Sequence, residues 1–413
     1  MNYSNPANLA VLACPGGEVF ADEVITHLKK CYYHHFKKTA AELARRYNMD
    51  TEEVIKKVNF IHEVNSPLSN LPGDVLKLHI PRFKVPARFT LFPNGEIKSE
   101  ILESIRGKDI YIVQDVENHY PLHFNDGMMT RALSVNDHLM TIFVTVDAVK
   151  QAGAERVTLV VPIYPYSRQH KKKGREGLTA SRIGTILESL GVNRIITLDI
   201  HSREIGNAFN FMRLENLHAS YQIIRRFLQI TGIKEDDLVV VSPDTGAVDR
   251  NKFYATALKR PLALLYKERD YSRVSKDAME NNIAEIKLLG NVRNKTVFMA
   301  DDMLGTGGTL LKAMKFLKEQ GAGKVIAAIS LPLFSGDAVK YFDAAYTEGL
   351  FFRIIGTNAI FQEEVLSRDW YMSVNITKLF AQTISRLHQG LSMSSLLDNR
   401  DIIEKLLTDT SIP

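Results

Sequence analysis

The chain has 413 residues, 45% of them hydrophobic and 24% charged, the balance of an ordinary globular protein; this excludes a disordered, collagen-like or membrane-spanning chain as its main description. Lys and Arg number 52 against 47 Asp and Glu, and the resulting +5 is too small at this length to argue for a nucleic-acid binder. The two cysteines, Cys14 and Cys31, lack CxxC spacing and indicate neither a disulfide scaffold nor a cysteine zinc site.

Residues 1–13 carry no basic region ahead of an apolar stretch, and no run approaches the ~18 apolar residues that crossing a bilayer requires. The expectation is a soluble, cytoplasmic protein with no membrane or nucleic-acid partner. Residues 30–85 read as an inserted helical element, with charged helical stretches at 39–47 and 50–58. A turn-rich segment containing Pro67, Pro72, Pro81 and Pro86 follows. Asp50, ahead of Thr51, Glu52 and Glu53, supplies an N-cap acid and further acids for a first turn, so these carboxylates need no catalytic role.

From residue 109 onward, short Val/Ile-rich runs at 109–114, 156–162, 194–199, 238–242, 295–300 and 324–331 alternate with amphipathic patterns at 136–152, 179–190, 219–230 and 309–320. Gly153, Gly191, Gly232 and Gly321 stand where helix C-cap glycines belong. The alternation predicts an α/β fold of parallel strands covered on both faces. Strand–loop–helix units on both sides of Leu217 predict two α/β domains, residues 1–217 and 218–413. Residues 369–374 read as a late strand in which Trp370 packs, and 377–388 as a covering helix.

The strongest chemical signal begins at Thr296. A buried strand ends in Asp301 and Asp302, followed by Gly305, Thr306, Gly307, Gly308 and Thr309 at the start of a helix. Glycines there let successive N–H groups line a concavity, and the helix N-terminus adds its positive end, so the loop suits a phosphate. No Lys follows the glycine pair, so it is not a Walker A loop. Adjacent carboxylates accept hydrogen bonds from vicinal hydroxyls, which points to a sugar phosphate.

Two acids, three residues, then Thr-Gly-Gly-Thr resembles the fingerprint of the type I phosphoribosyltransferase fold. The segments 160–169, 198–201, 241–244 and 267–269, together with Phe92-Pro93-Asn94-Gly95-Glu96, resemble motifs of ribose-phosphate pyrophosphokinases in their order. The similarity runs from about Phe89 to Leu397. It implies two phosphoribosyltransferase-like domains with parallel-rich sheets flanked by helices, plus the N-terminal helical insertion. It also implies transfer of the β,γ-diphosphoryl group of ATP to the C1 hydroxyl of ribose 5-phosphate, giving phosphoribosyl diphosphate and AMP for nucleotide biosynthesis.

By the same resemblance, Lys267 and Arg269 are the catalytic cations on a mobile loop, and Arg269 also serves the ribose 5-phosphate site. That site comprises Asp301, Asp302, Gly305, Thr306, Gly307, Gly308 and Thr309. Phe92, Asn94, Gly95, Glu96, Arg168 and Gln169 bind ATP, the first four from a loop that in relatives reaches a neighbouring subunit. His201 and Asp244 hold Mg2+. Self-association follows, dimer-based and up to a hexamer. The basic run containing Lys171, Lys172 and Lys173 reads as a solvated or triphosphate-facing loop, because no aromatic residues interleave it.

Three positions depart from the family pattern. Gly305 replaces an acid, a loss of about 1.5–3 kcal/mol if one charge-assisted hydrogen bond goes. Asn94 replaces an Asp, and His170 follows Gln169 where an acid is usual. Two alternatives remain at this stage: a catalytically weak regulatory relative that binds an active partner subunit, and a phosphoribosyltransferase that consumes phosphoribosyl diphosphate.

Overall fold

The computed structural model describes residues 8–64, 81–172, 174–230, 232–233, 237–269 and 283–408. The chain opens with strand β1 (Leu9–Ala13), helix α1 (Glu18–Tyr47) and helix α2 (Thr51–Val64). A hairpin of β2 (Ala87–Leu91) and β3 (Ile97–Ile101) precedes β4 (Asp109–Val113) and a second hairpin, β5 (Leu122–Phe124) with β6 (Met129–Arg131). Then come α3 (Val135–Gln151), β7 (Arg156–Val160), α4 (Thr179–Ser189), β8 (Arg194–Leu198) and β9 (Arg213–Leu217). Among the described residues, β1, β4, β7, β8 and β9 form one sheet in that order, every neighbouring pair parallel. All five residues of β4 are buried, as expected of a strand covered on both faces.

The second half runs through α5 (Ser220–Phe227), β10 (Leu238–Ser242), α6 (Val248–Ala257), β11 (Leu262–Arg269), β12 (Ile283–Leu289), β13 (Thr296–Leu304) and α7 (Gly308–Glu319). It continues with β14 (Val325–Pro332), α8 (Ala338–Thr347), β15 (Arg353–Thr357), α9 (Glu363–Leu366) and β16 (Tyr371–Val374). Helices α10 (Thr377–His388), α11 (Ser394–Leu397) and α12 (Arg400–Thr408) complete it. The sheet order is β12-β11-β10-β13-β14-β15-β16, and among its described strands only the β11–β12 pair is antiparallel. Strand order reverses between β10 and β13, and open α/β sheets place ligands at such a switch, beyond the strand C-termini.

The α/β pattern is borne out, with local differences. Helix α1 is continuous from Glu18, so the charged stretch at 39–47 is its distal half and not a separate element. That half makes a small apolar seam of its own with α2, centred on Ala40, Ala44 and Val54. Asp50 caps α2 as expected, its Oδ2 accepting the Glu52 N–H at 2.9 Å. Pro67, Pro72 and Lys173 lie outside the described residues. Helix α5 stops at Phe227, which leaves Gly232 (φ 75°) in a later turn; Gly153, Gly191 and Gly321 do follow their helices with positive φ.

The two halves share side chains. Helix α10 returns to the first half: Phe380 meets Phe20 edge-to-face at 5.1 Å, and His388 Nδ1 lies 2.8 Å from Asp109 Oδ2. Glu23 of α1 accepts from Asn375 (2.7 Å) and Thr377 (3.2 Å). After β4, Asp115 accepts the Phe361 N–H at 3.0 Å, and the Tyr120 hydroxyl accepts the Glu363 N–H at 3.0 Å.

Burial pushes the Asp115 carboxyl up to about 7 in spite of its amide donors, and the neighbouring Glu117 charge adds to the rise. A carboxyl whose folded pKa exceeds its unfolded value binds more protons folded than unfolded in between, so stability falls as pH rises from about 4 to about 7, by a few kcal/mol at most. Urea titrations across that window are expected to show this fall in the natural chain and to lose much of it in Asp115→Asn. An identical pH slope in both would refute the assignment.

Candidate active site

The strand β13 carries the site's acids as an extension of a buried sheet. Residues 296–300 are buried, and pairing with β14 includes Asp301↔Ile329, Met303↔Leu331 and Leu304↔Pro332, so Asp301 is itself paired and Asp302 lies between paired residues of the strand. The strand is locked just before them. Asn251, buried on α6, accepts the Ala300 N–H and donates to the Ala300 carbonyl, both at 2.8 Å. Sequence reasoning missed Asn251, because an isolated Asn in a helical stretch carries no signal of its own.

Beyond Leu304 the chain turns through Gly305 to Gly307 into α7. Of the three loop glycines, only Gly307 adopts the left-handed conformation, φ 76°. A Cβ there would lie 2.3 Å from Phe342 Cε2. Gly307, the N-cap of α7, has no side chain to satisfy the first N–H groups of the helix, which lack intrahelical partners. An anion seated there would satisfy them.

These elements open on a cavity of 1830 Å³, lined by Arg168, His201, Asp244, Asp301, Asp302 and the whole of 305–309. His201 arrives from the end of β8 and meets Asp302 across the two halves, with Nδ1 2.7 Å from Oδ2. That hydrogen bond raises the His201 pKa against the opposing effect of burial. Burial would raise Asp302, but the His201 bond and the Arg250 charge hold it below the ordinary carboxylate range. Asp301, whose Oδ1 accepts the Asp302 N–H at 2.9 Å, is pushed up by burial and by the like charges of Asp302 and Asp244.

Asp244 follows β10, and its Oδ1 accepts the Ala247 N–H at 3.0 Å, closing the turn into α6. Among the described residues no group of three or more His, Cys, Asp or Glu forms a ready metal cage. The carboxylates of Asp244, Asp301 and Asp302 are hard oxygen donors, and their crowding is relieved by a cation. A small hard ion that takes one or two carboxylates and completes its shell with phosphate and water fits that donor set better than zinc does.

Arg168 reaches the glycine loop: a Cβ on Gly305 would lie 3.4 Å from its Nη2. Gln169 does not line the cavity; its N–H donates to the Tyr166 carbonyl at 2.8 Å. Phe92, Asn94, Gly95 and Glu96 form the tip of the β2–β3 hairpin, closed by Phe92 N–H to Glu96 O at 2.9 Å, and they too lie outside the lining of this cavity. Phe92 is 41% exposed. Lys267 and Arg269 fall on β11, not on a loop. Their backbone pairs with β12 beyond Leu264, the last β11 residue paired with β10, on a two-stranded ribbon that continues past the sheet. Residues 270–282 lie outside the described residues.

Buried Asp199, also missed from sequence, stands behind His201. Burial would raise its pKa, but Arg250, His218 and Ser330 hold it well below the usual carboxylate range.

Comparison with known proteins agrees with this geometry. A family model for the N-terminal domain of ribose phosphate pyrophosphokinase matches residues 74–191, and a phosphoribosyl transferase domain model matches 212–348. The ribose-phosphate pyrophosphokinase of Listeria ivanovii is 34% identical over 313 residues, 75% of this chain and 88% of its own length. Ribose-phosphate pyrophosphokinase A of Dictyostelium discoideum is 35% identical over 312 residues, again 75% and 88%. The crystal structure of phosphoribosylpyrophosphate synthetase from Mycobacterium smegmatis matches with a TM-score of 0.66 at 25% identity, covering 93% of this chain and 99% of that one. With relatives matched over most of both lengths and the glycine loop at the sheet's switch point, the chain belongs to the ribose-phosphate pyrophosphokinase family.

Proposed function

We propose that the chain is a ribose-phosphate diphosphokinase, transferring the β,γ-diphosphoryl group of ATP to ribose 5-phosphate. The observation that carries this reading is a single cavity in which Arg168 and His201 of the first half face the paired acids and uncapped α7 N-terminus of the second. The 5-phosphate binds residues 305–309, with backbone N–H groups and the Thr306 and Thr309 hydroxyls as donors. Asp301 and Asp302 accept hydrogen bonds from ribose hydroxyls and orient the C1 hydroxyl for in-line attack on the β-phosphorus of ATP. Lys267 and Arg269 stabilise the charge that builds on the transferred group, and Arg168 and Gln169 contact the nucleotide.

His201 and Asp244 are the residues that would hold Mg2+, which when bound neutralises phosphate charge. Phe92 stacks on adenine while Asn94, Gly95 and Glu96 read its edge. Because the hairpin tip lies outside the cavity of its own chain, this reading has a second copy supply it, hence a dimer-based assembly. The division into domains 1–217 and 218–413 is supported by the two sheets, with α10 crossing back to pack on α1.

Gly305 favours one second reading, a weakly active relative that binds an active subunit. Incubating the purified chain with ATP, ribose 5-phosphate and Mg2+ is expected to yield AMP and phosphoribosyl diphosphate in equal amounts, with the yield abolished by a chelator. Turnover by the chain alone eliminates the second reading. No AMP under varied metal and phosphate conditions overturns the first.

A further inference from the structure

Asp199 is buried and sits in a left-handed backbone conformation, φ 40°, two residues before His201. A residue with a Cβ holds that conformation only when its surroundings determine it. Four donors do so. Arg250 Nη1 of α6 (3.2 Å) and His218 Nδ1 (2.7 Å) meet Oδ1, while Ser330 Oγ of β14 (2.6 Å) and the Ala219 N–H (3.4 Å) meet Oδ2. With both oxygens engaged twice, the carboxylate is held in place by the protein where the residue borders the cavity.

Arg250 precedes Asn251, which holds Ala300 immediately ahead of Asp301 and Asp302. Consecutive residues of one helix thus grip the two chain segments whose side chains meet at His201 and Asp302. The helix itself begins at the turn that Asp244 closes.

We propose that Arg250, Asp199 and Ser330 are positioning residues that set the contact between His201 and Asp302, with α6 as the brace that ties the two halves of the cavity together. The proposal rests on the diphosphokinase reading for its kinetic consequence, though its geometric consequence does not. Loosening the brace displaces His201 relative to the acids, and misplacements of about 1 Å in such sites cost up to ~10²-fold in rate. Removing a supporting partner of a metal-site residue typically costs about 10–100-fold.

The test uses full-length Ser330→Ala, Arg250→Ala and Arg250→Lys. Ser330→Ala keeps every charge and is the variant expected to fold normally. Ser330→Ala and Arg250→Ala are expected to lower kcat about 10-fold or more while the KM for ATP stays within about threefold. Both are expected to shift the side-chain nitrogen resonances of His201. Arg250→Lys should recover most of the lost kcat, since Arg250 meets Asp199 through a single ion-pair contact at 3.2 Å that an ammonium can replace. A folded Ser330→Ala chain with an unmoved His201 signal and natural kcat overturns the proposal, as does an Arg250→Lys chain no better than Arg250→Ala. If the natural chain makes no AMP, the reaction reading fails on its own, and the His201 resonance still decides the positioning claim.

Discussion

Lys267→Ala is expected to lower turnover roughly 10²–10³-fold, while the KM values for ATP and ribose 5-phosphate change by less than about fivefold. In diphosphoryl transfer little covalent work falls to the protein, and a cation aimed at the oxygens of the moving group is felt most at the transition state. The backbone of Lys267 belongs to a ribbon that continues beyond the sheet, paired on one side by β12 and no longer by β10. Under the proposed function, a cation on this arm serves the transferred group rather than the binding of either substrate. Steady-state kinetics with each substrate varied in turn separate the possibilities. A rise in KM with kcat intact would make Lys267 a ground-state binder and remove it from the chemical step.

Much of the second sheet was legible because its strands are buried on both faces and read as unbroken apolar runs, as at 238–242 and 325–332. The phosphate loop was legible for a different reason: all its parts are contiguous, from the buried strand through the acids and glycines to the helix start. Edge elements were harder. β9, Arg-Leu-Glu-Asn-Leu, is partly solvated and looks like a loop, and β11 ends in Lys-Glu-Arg, which suggests a surface turn until β12 pairs with it.

Least legible were contacts made by topology alone. His201 and Asp302 are 101 residues apart, and Asp199 and Ser330 are 131 apart; no spacing rule connects them. Helix α6 was hidden as well, since Arg250 and Asn251 reach residues of two different segments, Asp199 after β8 and Ala300 in β13. The hairpin at Phe92 shows the converse: its sequence resembles a nucleotide-reading loop, yet the fold of one chain holds it outside the lining of the cavity.

Gly307→Ala is expected to destabilise the fold by about 2–5 kcal/mol and to raise the KM for ribose 5-phosphate at least ~10-fold. Two costs add. The left-handed φ of 76° is unfavourable for any residue with a Cβ, by about 1–2 kcal/mol. The new methyl would also lie 2.3 Å from the Phe342 ring, which is fully buried and wedged among Phe334, Phe351 and Trp370 at centroid distances of 5.7, 5.7 and 5.8 Å. Trp370 is itself anchored by its Nε1–H donating to Asp343 at 2.7 Å, so the ring cannot yield cheaply. Relief must come from the loop, which swings the α7 N-terminus and its N–H groups away from the phosphate. Gly308→Ala is the control: nothing lies within 4 Å of the added Cβ, and stability should stay within about 0.5 kcal/mol of the natural chain. Denaturant unfolding of both variants, with the KM for ribose 5-phosphate measured on Gly307→Ala, tests the argument. If Gly307→Ala proved as stable as Gly308→Ala with an unchanged KM, the loop would not be the rigid cradle this chemistry needs.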